Sequence, residues 1–272
     1  MHHHHHHGGS GSSLHSIQRG FTLTELMITV ALSLTVISSV LVGYLGTYSG
    51  SMNTLNSSKL NQELSAVMSL MIADIRRAGY NGSVAASETP TANVFNTVDS
   101  TALEVFDDMI SNTQVATTGN GSCIVYAYDL DQDGVVDANE LVGFRLNAGV
   151  VQMRTVGNVA DPDTCASSSN TWTDLTDSDF ITVTTLNFDL SGSVCLNTRE
   201  PDLVDSDSDG TVDNAEEGNC YVAPLPAAAS GDITVETRQV DITLAGNLTD
   251  DSFTRLSQAQ SVRVRNDLIR IR

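Results

Sequence analysis

The chain has 272 residues, with 33 Asp and Glu against 13 Lys and Arg and a formal net charge of −20. That balance argues against nucleic acid as a partner, because phosphate backbones are bound through basic patches. All four cysteines lie at or beyond Cys123, which fits disulfides in an oxidising compartment rather than cytosolic thiols.

In chain order, residues 1–13 hold a hexahistidine followed by Gly and Ser; they read as an expression tag and are set aside, not counted as a metal site. Next comes Arg19-Gly20-Phe21-Thr22-Leu23-Thr24-Glu25-Leu26, and from Leu26 to Ser58 there is no Asp, Glu, Lys or Arg. A bilayer needs roughly 20 apolar residues, so this run is long enough to span one. A carboxylate at its head is expensive unless a partner neutralises it, which makes Glu25 a candidate functional group. A secretory signal would place its cleavage site after a shorter apolar core. The G-F-T-L-x-E pattern with its apolar run resembles the class III signal of type IV pilins and type II secretion pseudopilins.

That resemblance implies a prepilin leader over residues 14–20, a cut by prepilin peptidase between Gly20 and Phe21, and methylation of the new N-terminus. Glu25 would become the fifth mature residue and pair with the Phe21 amine of a neighbouring subunit. The implied partners are other pilin subunits, major and minor, the peptidase, and the inner membrane before export to a cell-surface pilus.

Phe21 to about Tyr80 lacks proline and reads as one long helix. Residues 21–50 are apolar all round and suit a bilayer or filament core. Over residues 51–80 the helix becomes amphipathic: Leu60, Leu64, Val67, Met68, Met71, Ile72 and Ile75 recur at spacings of three and four, predicting one buried face. Asn61, Gln62, Glu63, Ser65, Asp74, Arg76 and Arg77 are assigned to the other faces. Gly43, Gly46 and Gly50 each cost about 1 kcal/mol relative to alanine, so a bend or unwinding is expected there. The family resemblance points to the same place.

Residues 81–272 read as a β-rich domain. Strands are predicted at Leu103–Phe106, Cys123–Tyr128, Leu141–Leu146, Val150–Val156, Phe180–Phe188, Ile233–Leu244 and Val262–Ile271. Helix first and strands afterwards indicate an α+β fold, a long helix on an antiparallel sheet, as in type IV pilins.

Asp129-Leu-Asp131-Gln-Asp133-Gly134-Val135-Val136-Asp137-Ala-Asn-Glu140 matches the twelve-residue D-x-D-x-D-G-x5-E calcium loop, and Asp205-Ser-Asp207-Ser-Asp209-Gly210-Thr211-Val212-Asp213-Asn-Ala-Glu216 matches it again. Alternate carboxylates of a tight loop point inward, glycine at position six permits the turn, and the carbonyl at position seven (Val135, Thr211) adds an oxygen. Glu140 and Glu216 at position twelve would close the shells, while Asp137 and Asp213 at position nine would act through water. Hard oxygen donors at this spacing predict two Ca²⁺ sites. Runs 129–140 and 202–217 hold 5 and 7 of the chain's acids. Both flanks of the first loop read as strands, so a structural ion is expected rather than a helix-opening switch.

Cys123 and Cys165 bracket the first loop, and Cys195 and Cys220 the second. Four cysteines allow three connectivities, of which sequential pairing, stapling each acidic excursion at its base, is favoured. No C-x2-C spacing supports zinc. Outside the tag the only histidine is His15, so a His-based catalytic triad beyond residue 20 is impossible and an enzyme is not expected.

Asp74-Ile75-Arg76-Arg77-Ala78-Gly79-Tyr80 and Ser261-Val262-Arg263-Val264-Arg265-Asn266 resemble the helix ending and last strand of PilW-type minor pilins. That resemblance implies a minor pilin, a structural subunit that primes or joins a type IV pilus. The alternatives are a minor pseudopilin of type II secretion and a calcium-dependent pilus-tip adhesin.

Overall fold

The computed structural model describes residues 20–83, 92–166, 168–206, 208–222, 231 and 233–271. They form two units, residues 1–54 and 55–272. The helix α1 runs over Leu23–Ile75.

In the first unit every described side chain is exposed, and this stretch of α1 is long and apolar enough to cross a membrane. The helix runs without interruption through Gly43, Gly46 and Gly50, where a bend was expected. Hydroxyls of Thr47, Ser51 and Thr54 donate to carbonyls four residues back, to Gly43, Thr47 and Gly50 at 2.9–3.0 Å. These bonds satisfy the hydroxyls locally within the helix.

In the second unit the described residues form twelve strands: β1 Glu104–Phe106, β2 Asn120–Gly121, β3 Cys123–Ala127, β4 Leu141–Asn147, β5 Val150–Val156, β6 Thr171–Asp174, β7 Ile181–Asp189, β8 Val194–Asn197, β9 Ile233–Thr237, β10 Gln239–Leu248, β11 Arg255–Arg263 and β12 Leu268–Ile271. They pair antiparallel in three sheets, ordered β1-β3-β4-β5-β6, β11-β10-β7-β2 and β12-β9-β8. Leu60, Leu64, Val67, Met68, Met71 and Ile75 enter one apolar core with Tyr126, Phe144, Phe188, Ile242 and Val262. The α+β fold is therefore the observed one, and the helical face is the one its spacing indicates.

Asp74 corrects that reading. It is 3 % exposed rather than on a solvated face, and it accepts hydrogen bonds from the Tyr126 hydroxyl at 2.7 Å and the Tyr128 hydroxyl at 3.2 Å. Arg77 pairs with the same carboxylate and lies over the Tyr128 ring at 4.2 Å. A buried acid is tolerable here because each oxygen is satisfied. Gly79, with φ of 72°, turns the chain out of the helix.

Two predicted strands are each divided. Ile233–Leu244 breaks at Arg238, which is buried and pairs with Glu236 at 2.8 Å while donating to the Leu103 carbonyl. β9 and β10 consequently belong to different sheets. Val262–Ile271 breaks between β11 and β12 across residues 264–267, where the Asn266 amide donates to the Ala78 carbonyl at 3.0 Å.

At the same corner Glu104, on β1, is 4 % exposed, and its Oε2 has no partner. Burial pushes its carboxyl up to about 7, reinforced by Asp163 and Asp99 and opposed by the Asp99 N–H and Arg238. The folded state thus holds this proton to higher pH than the unfolded chain, whose carboxyl titrates near 4.5. Its contribution is full below about pH 4.5 and is lost as pH rises through about 7, by at most about 3 kcal/mol. Glu104→Gln should remove that slope. Urea midpoints of wild type and variant should diverge between pH 5 and pH 8, and parallel curves would contradict the assignment.

Candidate functional site

Three regions carry the residues singled out in the sequence: the entry to α1 and the two acidic loops. Gly20, Phe21 and Thr22 are non-helical and exposed, and α1 begins at Leu23. The Gly20–Phe21 bond therefore lies in accessible backbone just before the first turn. Thr22 and Glu25 form a reciprocal pair there: Glu25 N–H donates to Thr22 Oγ1 at 3.3 Å, and Thr22 N–H to Glu25 Oε2 at 3.4 Å. This is a capping-box arrangement, legible as T-x-x-E but overshadowed by the charge argument. It gives Glu25 a local role in starting the helix, alongside whatever it meets outside the chain.

The first loop connects β3 to β4, which pair from Ala127↔Leu141 onward, so it closes a hairpin. Gln132 and Gly134 both take positive φ, 68° and 77°, and this coil folds the backbone around Asp129. Asp129 is buried, and its carboxylate accepts from the N–H groups of Gln132 at 2.6 Å, Gly134 at 3.2 Å and Gly82 at 2.9 Å. Glu140, also buried, accepts from Leu130 N–H at 2.6 Å and Asp137 N–H at 2.9 Å. Val136 anchors the loop on a small apolar floor of Phe95, Ala127 and Leu141.

The result is a set of oxygens facing one another. One oxygen each from Asp129, Asp131 and Glu140 lies within 4.8 Å of the others, as does one each from Asp131, Asp133 and Asp137. Asp131 joins both groups, which are otherwise separate. The donors are oxygen alone, on a flexible loop with glycine at the tight turn, which suits Ca²⁺ better than a metal requiring nitrogen or sulfur. Val135 at position seven is exposed at the loop's outer side.

The second loop repeats this coil only part of the way. Ser208 and Gly210 take φ of 62° and 95°, matching Gln132 and Gly134. Asp205 accepts from Gly210 N–H at 2.9 Å, as Asp129 does from Gly134, and Asp209 accepts from Thr211 N–H at 2.7 Å. Asp207 lies outside the described residues. Beyond position eight the two loops diverge. Asp213 takes φ of 54°, one residue is accommodated in the turn, and the carboxylate that folds back is Glu217 rather than Glu216. Glu217 is fully buried and accepts from Ser206 N–H and from Asn214 N–H at 3.1 Å, as Glu140 does in the first loop, whereas Glu216 is exposed.

Asp213 is bonded to the start of the loop. It accepts from the N–H groups of Asp202 at 2.8 Å and Leu203 at 2.9 Å, and its carboxylate gathers with those of Glu200 and Asp202 within 4.8 Å. Among the described residues Asp205 and Asp209 belong to no such group. Among the described residues both Glu200 carboxylate oxygens are buried without a hydrogen-bond partner. Their burial, then the fields of Asp202, Glu217 and Asp213, push its carboxyl upward. Glu200 and Glu217 escaped the sequence reading because the twelve-residue motif begins after the first and ends before the second.

Each loop is stapled. Cys123 is bonded to Cys165 with Cα atoms 6.5 Å apart, and Cys195 to Cys220 with Cα atoms 5.2 Å apart. The first ties the start of β3 to the segment after β5, and the second ties β8 to the end of the second loop. No His- or Cys-based catalytic grouping occurs among the described residues, since all four cysteines are in disulfides.

Comparison with known proteins gives two family matches. A family model described as Prepilin peptidase-dependent protein B matches residues 53–264, and one described as Prokaryotic N-terminal methylation motif matches residues 15–41. Neither a search of curated proteins nor one of solved structures finds a match.

Proposed function

The chain belongs to the prepilin peptidase-dependent protein B family, and on that premise we propose that it is a minor pilin, cut after Gly20, which joins or primes a type IV pilus. At the coarser level it is a type IV pilin-like or pseudopilin subunit with a membrane-anchoring helix. The observation that supports a subunit cut after Gly20 is the coincidence of an N-methylation motif, an accessible Gly20–Phe21 bond and a lone carboxylate at the head of an apolar helix. A minor pseudopilin of type II secretion would share all of these.

Assembly tests the role of Glu25. In a low-dielectric filament core its carboxylate would pair with the Phe21 amine of a neighbour, and losing one partner strands the other charge. Glu25→Gln keeps an acceptor for the capping box and removes the charge, whereas Glu25→Ala removes both. Both variants should insert in the membrane, and both should be depleted from sheared pili by about tenfold or more, since stranding a buried charge costs about 3–5 kcal/mol. Normal incorporation of Glu25→Gln would leave only the capping role.

We further propose that calcium binds the first loop through Asp129, Asp131, Asp133, Asp137 and Glu140. For the second loop the proposed ligands are the Glu200, Asp202 and Asp213 group, supported by the approach of those carboxylates within 4.8 Å, with Asp202 also paired to Arg199 at 2.6 Å. The ion would be structural, holding each loop in its coil. A ligand that binds only the folded state adds roughly 2.7 kcal/mol at a hundredfold excess over Kd, so chelation should lower Tm by about 5–10 °C. Asp131→Ala, which enters both groups of the first loop, should remove a large part of that shift. Superimposable melting curves with and without chelator would return these loops to solvated acidic turns.

A further inference from the structure

Between Leu26 and Gly43 the polar side chains are Thr29, Ser33, Thr35, Ser38 and Ser39. Each hydroxyl donates to a carbonyl three or four residues back, at 2.7–3.0 Å. Hydroxyls satisfied in this way enter hydrocarbon without leaving a polar group unpaired. The stretch is bounded at each end by groups of another kind. Ahead of it stands the Glu25 carboxylate, drawn back toward Thr22 by the capping box. After it come Tyr44 and Tyr48, whose hydroxyls have no hydrogen bond among the described residues. Both tyrosines are exposed, and their rings stack with centroids 6.3 Å apart.

The spacing of these boundaries is that of a bilayer. Leu26–Gly43 is 18 residues of uninterrupted helix, about 27 Å at 1.5 Å per residue, against about 30 Å of hydrocarbon. Tyr48 lies one turn beyond Tyr44, about 6 Å further along the axis, so the pair spans roughly one polar layer of the membrane. A ring with an apolar body and a polar tip is best placed at that boundary. Stacking at this spacing supports a helix only weakly, and it does not account for two phenols left without partners.

We propose that Tyr44 and Tyr48 bind the carbonyl and phosphate layer of a phospholipid bilayer and so fix α1 at the depth that leaves Glu25 in the opposite layer. This contact continues the lipid-facing surface of the membrane-anchoring helix, and its partner is lipid. With both ends held, Glu25 stays hydrated while the chain is in the membrane, and its charge loses water only when the helix leaves the bilayer. The inference deepens the membrane-anchored subunit reading and rests on it.

The test uses the full chain in vesicles of phosphatidylcholine with a minor share of phosphatidylglycerol, at a lipid excess that keeps copies apart. Leu34→Trp places a reporter at the middle of the stretch. Its quenching by lipids brominated at successive chain positions gives its depth, and the chain without it supplies the Trp172 background. With both tyrosines present the reporter should lie within about 3 Å of the bilayer centre. Tyr44→Leu with Tyr48→Leu extends the stretch free of unsatisfied side chains to Met52, about 40 Å. The reporter should then move toward the Glu25 side by about 3 Å or more. Tyr44→Lys with Tyr48→Lys keeps groups that reach the headgroups and should hold the reporter at its original depth. Neither pair removes packing, since both rings are exposed. An unchanged depth with leucine overturns the proposal. So does displacement by leucine and lysine alike, which would give the tyrosines to a protein contact. Failure of the chain to insert at all would strike the membrane-anchor reading and this proposal with it, whereas cleavage after Gly20 reports separately on processing.

Discussion

With Gly20→Val, prepilin peptidase should leave the chain uncut, and intact mass should show residues 1–20 retained, with processing reduced on the order of a hundredfold. The structure makes this a clean test. A Cβ added at Gly20 meets nothing within 4 Å, and the residue is exposed and precedes α1, which starts at Leu23. Valine there removes no packing and breaks no helical bond, so any loss must arise where the peptidase receives the bond. A side chain filling a subsite shaped for none is rejected sterically. Gly20→Ala, with one methyl, should fall between the two. Efficient cleavage of the valine variant between residues 20 and 21 would show that the family match at residues 15–41 does not carry the processing role.

The helical face was legible because burial at spacings of three and four is a local signal. Polarity alone assigns Asp74 to a solvated face, where the structure buries it. It follows Met71 by three and so shares its face, and the tyrosines that make its burial tolerable lie more than 50 positions away. The breaks at Arg238 and residues 264–267 are likewise set by partners distant in sequence, Leu103 and Ala78. The first acidic loop is a local coil, closed on a hairpin and seated by Val136. The second departs from that coil after position eight. Two glutamates stand side by side, and only the left-handed backbone at Asp213 decides that Glu217 folds back. No spacing rule contains that information.

Arg154 is the residue the sequence concealed most completely, and its replacement should have the largest effect on stability. It is 1 % exposed and, among the described residues, forms no salt bridge. Its guanidinium donates to four carbonyls: Leu141 at 3.0 Å, Val142 at 3.1 Å, Pro162 at 2.8 Å and Thr164 at 3.2 Å. Two of these begin β4, directly after Glu140 closes the first acidic loop, and two precede Cys165. One side chain thus fastens the exit of that loop to the arm of its disulfide. Burial pushes the guanidinium down to about 10, so it remains charged at neutral pH and depends on those carbonyls for solvation. Arg154→Met conserves much of the volume but leaves buried acceptors without their donors, at roughly 1–3 kcal/mol for each group left unsatisfied. The expected total is about 3–5 kcal/mol, read from urea midpoints. Arg154→Lys keeps the charge but not the planar fork, and a point charge cannot serve four carbonyls set around a plane. It should therefore fail to rescue. Exchange of the Gly157 amide, bonded to the Ala138 carbonyl at 2.7 Å, should quicken in both variants. A loss below about 1 kcal/mol in Arg154→Met, or full rescue by lysine, would mean that packing of the aliphatic stem, not the fan of hydrogen bonds, is what holds this corner.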